Sequence, residues 1–126
     1  MSSGLNKVML LGEVAADPEL YVTRGGQAVL QLRLGTTESY LDKDDVRHER
    51  TWYHAVVVLN KRAHALAKVL HRGSRIFVEG KLRTTTFESL EGGAKRTKTE
   101  VVADEVLYAG ERGAEPAPAN EVIPWR

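Results

Sequence analysis

The chain has 126 residues, 42% apolar and 28% charged, with 11 Gly, 4 Pro and no Cys. That length suits one domain and a short tail, and the composition excludes a collagen-like, wholly disordered or disulfide-rich chain, thiolate catalysis and Cys-based zinc sites. The net charge of +1 hides an asymmetry: residues 61–98 carry ten Lys and Arg against three Glu, a local +7 that leaves −6 elsewhere, a segregation that fits either a polyanion footprint or an uneven solvated surface.

Val8-Met9-Leu10-Leu11 is a short apolar run that predicts a first strand. No apolar stretch approaches the roughly 20 residues that span a bilayer. Met1-Ser2-Ser3-Gly4 lacks the charged start of a signal peptide, so a soluble cytoplasmic protein is expected. After an Arg24-Gly25-Gly26 turn, Ala28, Leu30, Leu32 and Leu34 alternate with Val29, Gln31 and Arg33, the period of a half-buried strand. The charged Asp42-Lys43-Asp44-Asp45 run marks a turn, and Ala55 to Leu59 is a β-branched, nearly continuous apolar strand. Ala63, Leu66, Ala67 and Leu70 then form a single helical stripe, predicting a helix over 61–71 with Asn60 as N-cap and Gly73 at C′.

Alternation returns at Ile76, Val78, Gly80 and Leu82. The polar stretch Thr84–Glu100, broken at Glu91-Gly92-Gly93, reads as a long projecting hairpin, and Val101, Val102, Val106 and Tyr108 as a last strand bulged near Asp104. From residue 111 the chain is small, charged and Pro-containing, so 1–110 is expected to be the folded domain and 111–126 a disordered tail with an apolar tip at Ile123, Pro124 and Trp125. One helix between the third and fourth strands of a five-stranded, all-β series is the OB-fold barrel arrangement.

Catalytic and cofactor motifs are missing. The glycines form neither a dinucleotide fingerprint nor a P-loop, and no HExxH occurs, so no enzyme activity and no cofactor are expected. Asp42, Asp44, Asp45, His48 and Glu49 could hold a hard cation for a hydrolase, but Lys43, Arg47 and Arg50 in the same loop favour a solvated loop. His64 and His71 fall near one face of the predicted helix, two histidines without a third ligand. The aromatic residues are more telling. Tyr40 lies among Glu38, Ser39 and Asp42, and Phe87 follows three Thr, polar settings that leave both rings exposed. Exposed rings on a basic surface suit single-stranded nucleic acid, whose bases stack on them while phosphates meet Lys and Arg.

Gly4-Leu5-Asn6-Lys7-Val8, Asp17-Pro18-Glu19, Thr37-Glu38-Ser39-Tyr40, Thr51-Trp52-Tyr53-His54, Val78-Glu79-Gly80-Lys81-Leu82-Arg83-Thr84 and Thr99-Glu100-Val101-Val102 follow one another in an order that resembles the bacterial single-stranded DNA-binding proteins of the homotetrameric OB-fold type. The resemblance covers about residues 4–109. It implies a protein that coats single-stranded DNA without strong sequence preference in replication, recombination and repair. It places Tyr40, Tyr53 and Phe87 at the principal stacking positions, usually Trp, and Leu59 where a stacking Phe is common. Lys7, Lys43, Lys61, Arg72 and Arg83 then fall along the phosphate path, and Trp52 offers a further ring beside Tyr53. The resemblance also implies a homotetramer, with His54 at a subunit interface and the strand around Leu5 and Val8 pairing across a dimer. Ala55, Thr85 and Thr86 stand where basic residues are frequent. The tail keeps Ile123-Pro124 before an aromatic residue, with Glu121 alone in place of an acidic cluster and Arg126 after Trp125. Its tip is either a docking segment for DNA-processing proteins or a frayed end. The competing functions are an OB-fold primosome-type accessory acting through protein contacts and a metal-dependent hydrolase using the 42–49 loop.

Overall fold

The computed structural model describes residues 2–88 and 92–111. Six strands and one helix follow in the order β1 (Val8–Val14), β2 (Glu19–Val22), β3 (Ala28–Leu41), β4 (Arg47–Leu59), α1 (Lys61–Ala67), β5 (Ser74–Glu88) and β6 (Lys95–Glu111). Strands β1, β3, β4, β6 and β5 close on one another in that order, and β5 returns to β1. All these pairings are antiparallel except β4–β6, which is parallel at Val56–Val101 and Val57–Val102. The result is the expected five-stranded OB barrel with its helix between the third and fourth barrel strands.

The alternation seen in sequence is the inside–outside alternation of the barrel. Leu30, Leu32, Leu34, Val56, Val58, Ile76, Val78 and Val101 are buried together with Val14. Closure needs two close backbone approaches, and both fall on glycine. A Cβ on Gly12 would collide with the Gly35 carbonyl where β1 meets β3, and one on Gly80 would collide with the Val102 carbonyl. The expected bulge is present: the β5–β6 register slips between Glu79 and Gly80, which pair with Glu105 and Ala103 and leave Asp104 between them.

Several boundaries differ from the sequence reading. Strand β2 was not anticipated. It is four residues long and adds to the outer edge of β3, opposite Ala28–Gln31, where its exposed Leu and Val carry no clear period. The helix stops at Ala67 rather than residue 71, although Ala63 and Leu70 are both buried as the stripe required. Asn60 does not cap through its side chain; it sits at φ 65 and uses its backbone N–H on the Ala28 carbonyl. Gly73 is not the residue after the helix. At φ 95 it donates its N–H to the Val14 carbonyl and steers the chain into β5. His71 is therefore off the helix, and it does not share a face with His64. Strands β3 and β4 continue as a ladder to Leu41–Arg47, and β5 and β6 to Glu88–Lys95, so two long hairpins leave the barrel. The tail from 112 on, with Ile123, Pro124 and Trp125, lies outside the described residues, as does Glu91.

Candidate nucleic-acid interface

Because β-strand side chains alternate between faces, the strand registers decide which functional side chains share a surface. On β4, Val56 and Val58 point into the core, so Tyr53, Ala55, Val57 and Leu59 point outward. Across the ladder on β3 the outward set is Val29, Gln31 and Arg33, and β2 extends it with Glu19 and Tyr21. On the other side, Val102, Glu100, Lys98 and Arg96 of β6 lead to Lys81, Arg83, Thr85 and Phe87 of β5. One continuous outer face therefore holds Tyr53, Leu59, Arg83 and Phe87. Its floor is a small apolar cluster of Val29, Val57 and Val102 with Leu59 packed on it, so Leu59 is half-buried rather than a free ring substitute.

Tyr53 sits near the middle of that face and is 56% exposed. It lies over Gly35, its cross-strand partner, where any Cβ would press on the ring. The Arg33 guanidinium stands 5.0 Å from the ring centroid, a cation–π arrangement that holds ring and cation in one orientation. Grooves open on two sides of the ring. One, of about 500 Å³, is lined by Asp17, Glu19, Gln31, Arg33 and Ala55. The other, of about 260 Å³, is lined by Glu13, Thr37, Thr51 and Arg72. Arg72 is thus brought beside Tyr53 across 19 positions of sequence, and its backbone N–H is fixed by Asp17 Oδ1 at 2.8 Å.

Tyr40 and Trp52 belong to a different surface. Tyr40 pairs with His48 and Trp52 with Thr36, so both point to the face of the β3–β4 hairpin opposite Tyr53. There Tyr40 stacks on His48 with centroids 5.4 Å apart. Arg50 lies between the two aromatics, 5.1 Å from Tyr40 and 5.5 Å from Trp52, and Trp52 Nε1 donates to Glu38 Oε1 at 3.0 Å. The fold therefore does not gather Tyr40, Tyr53 and Phe87 on one face; it distributes rings over both sides of the hairpin.

The basic residues also separate. Lys43 at the hairpin tip and Lys61 at the helix start are exposed. Lys7 is bound to Glu79 at 2.6 Å, a contact that holds its ammonium pKa above the ordinary lysine value. Arg83 donates to Glu100 Oε1 at 2.8 Å, and Lys98 stands 3.7 Å from the other carboxylate oxygen. In the 42–49 loop, His48 lies 2.7 Å from Asp42 Oδ2, and that hydrogen bond, with one from the Val46 N–H, draws the Asp42 pKa below the usual carboxylate value. Among the described residues no three His, Asp or Glu side chains converge as a metal cage. No helix among them is long and apolar enough to cross a membrane.

The sequence reading missed Arg33, His48 and Arg50 as ring partners. The signal for Arg33 was present, since the alternation that buries Leu32 and Leu34 turns Arg33 outward with Tyr53. His48 and Arg50 needed the hairpin register.

His54, expected at a subunit interface, is half-buried at the end of the barrel, and its Nε2 shares a 2.9 Å hydrogen bond with Thr36 Oγ1. Leu5 is exposed, and Val8 packs partly on the core. The edge of β1 away from β5 carries a partner strand only at Glu13 and Val14 among the described residues. Met9 and Leu11 are exposed on β1, and Leu107, two strands away on β6, is exposed as well.

Residues 5–108 match the model of the single-strand binding protein family. The "Single-stranded DNA-binding protein 1" of Chlorobaculum tepidum is 36% identical over 110 residues, covering 87% of this chain and 68% of that protein. The single-stranded DNA-binding protein of Xanthomonas axonopodis is 35% identical over 113 residues, 90% of this chain and 62% of that protein. Among solved structures, a Thermus aquaticus single-stranded DNA binding protein superposes with a TM-score of 0.75 at 34% identity, over 90% of this chain and 54% of that one. A Plasmodium falciparum SSB in complex with ssDNA superposes with a TM-score of 0.74 at 26% identity, over 86% of this chain and 98% of that one.

Proposed function

Since this chain belongs to the single-strand binding protein family, it is a single-stranded DNA-binding protein and not an enzyme, and we propose that the outer face centred on Tyr53 is where the strand lies. The observation that carries this reading is the Tyr53–Arg33 pair set between two grooves. A base stacks on an aromatic ring whatever its identity, and the adjacent guanidinium answers the phosphate. The strand crosses from the Tyr53 grooves towards Arg83 and Phe87 on β5, and a further segment reaches Tyr40 and Trp52 on the other side of the hairpin. Lys43, Lys61 and Arg72 supply charge along the way. In this role the protein covers transiently exposed single strands during replication, recombination and repair.

We also assign residues 1–110 to the DNA-binding domain and 111–126 to a tail whose Ile123, Pro124 and Trp125 dock on DNA-processing proteins. Assembly into a homotetramer is supported by the incompletely paired edge of β1 and the exposed Met9 and Leu11 on that strand, because such an edge is a template for a second strand. His54 is placed close to that assembly. Sedimentation tests this: His54→Lys is expected to yield smaller species, and a wild-type monomer overturns the assignment.

Titration with oligo-dT at rising salt tests DNA binding itself. Affinity is expected to fall steeply and linearly in log salt, since neutralised phosphates release counterions. A shallow response would favour the accessory reading, in which protein contacts dominate.

A further inference from the structure

The larger groove beside Tyr53 is chemically lopsided. A groove built only to follow a phosphate backbone would be lined by cations. This one offers the Asp17 and Glu19 carboxylates and the Gln31 amide, with Arg33 as its single cation. Glu19 and Gln31 face each other across β2 and β3, on the same side as Arg33 and Tyr53. Neither has a side-chain hydrogen bond or ion pair among the described residues. Asp17 commits one oxygen to the Arg72 N–H at 2.8 Å, which pins the wall of the groove and leaves its second oxygen without a bond among the described residues.

We propose that this groove reads the edge of the base held at Tyr53 and favours bases with an exocyclic amino group, cytosine over thymine, through Glu19 and Gln31. This rests on the assignment of Tyr53 to the DNA face. A carboxylate accepts from the cytosine N4 amino group and has nothing to give to the thymine O4 carbonyl at the same position, where two acceptors would meet. Arg33, at the ring, is a donor of the kind that the cytosine N3 and O2 acceptors need. Glu19 also costs affinity for every sequence, because a carboxylate near the strand repels phosphate. The two effects separate cleanly: repulsion is blind to the base, and edge recognition is not.

The experiment is a titration of the full chain with dC and dT tracts of equal length at mildly alkaline pH, where cytosine is unprotonated. Wild type, Glu19→Ala and Gln31→Ala are compared by the ratio of the two affinities. Glu19 is exposed on a short edge strand, so its removal leaves the barrel intact. Glu19→Ala is expected to tighten dT binding while lowering the dC-to-dT ratio by about tenfold, within the range for loss of a base-edge contact. Gln31→Ala is expected to lower the ratio less. If Glu19→Ala tightens both tracts equally, Glu19 is only a repulsive charge and the proposal is overturned. If wild type binds neither tract, the failure lies with the DNA-binding assignment instead.

Discussion

The two hairpins that leave the barrel carry rings of nearly equal exposure in very different company. On β3–β4, Tyr53 is held by Arg33, while Tyr40, His48, Arg50 and Trp52 form a run of stacked rings and cations tied to Glu38. On β5–β6, Phe87 pairs across the ladder with Arg96 and has no ring or cation stack among the described residues. The cations nearer the barrel, Arg83 and Lys98, share the buried Glu100. One hairpin is a preorganised platform whose rings need no reordering when a base arrives. The other is an arm whose ring must be fixed by the ligand, and ordering a side chain on binding costs about 0.5–1.5 kcal/mol. Exposure alone does not distinguish the two, because burial measures area and not orientation.

The contrast predicts unequal losses. Tyr53→Ala is expected to weaken oligo-dT binding most, towards the upper end of the roughly 1–3 kcal/mol associated with one stacked base. Phe87→Ala is expected to fall towards the lower end of that range, with thermal stability nearly unchanged because the ring is 47% exposed on an arm whose described neighbours are exposed too. Fluorescence titration and a thermal melt read both quantities. Equal losses would remove preorganisation as the difference between the hairpins, and a collapse in stability would make Phe87 a packing residue.

Releasing the cations of the second hairpin sharpens the comparison. Glu100→Gln keeps an acceptor for Arg83 and removes the charge it shares with Lys98. The expected outcome is a loss of about 1 kcal/mol in stability, since a charged hydrogen bond becomes a neutral one in a buried site. DNA affinity should rise, with a salt slope steeper by roughly one released counterion. A denaturant melt paired with titrations at two salt concentrations tests this, and an unchanged slope would show that Arg83 and Lys98 do not reach phosphate.

How far the sequence foretold these surfaces follows from the kind of signal each one leaves. The barrel strands were legible because Leu30, Leu32 and Leu34, and likewise Ile76 and Val78, must alternate to fill a closed core. The bulge at Asp104 was legible because the apolar period slips there. The short β2 left no period, and the helix end was misplaced because Leu70 is buried just beyond the last helical turn. At the site, polar surroundings marked Tyr40 and Phe87 as exposed. Strand alternation alone sets Trp52 opposite its neighbour Tyr53, but the side that Tyr40 takes follows from parity around the β3–β4 turn. That parity depends on which residues occupy the Asp42–Val46 connection, a three-dimensional fact of the ladder.

That connection supplies the smallest expected effect. Asp42 Oδ1 accepts from the N–H groups of Asp44 and Val46, and Oδ2 from His48, whose ring in turn stacks on Tyr40. The carboxylate thus closes the turn and orients the terminal ring of the platform at once. Because the His48 hydrogen bond, foremost, lowers the Asp42 pKa, the ionised form is favoured by the closed turn. Its contribution is therefore complete above the ordinary aspartate pKa and is lost as pH falls through the lower, folded-state value. Asp42 sits at the tip of the hairpin, outside the barrel core, with its side chain 34% exposed, so the consequence is local: the turn opens in acid while the barrel persists. Amide exchange at Asp44 and Val46 is expected to quicken, relative to barrel amides, only once pH drops below the usual carboxylate range. In Asp42→Asn the same amides are expected to exchange faster at neutral pH and to lose the acid dependence, with Tyr40 contributing less to oligo-dT binding and Tyr53 contributing as before. Protection at Asp44 and Val46 that stays constant through acid in the wild type would mean that the turn is held by its backbone bonds, from the Asp45 N–H to the Asp42 carbonyl and from the Asp42 N–H to the Val46 carbonyl, and not by the carboxylate.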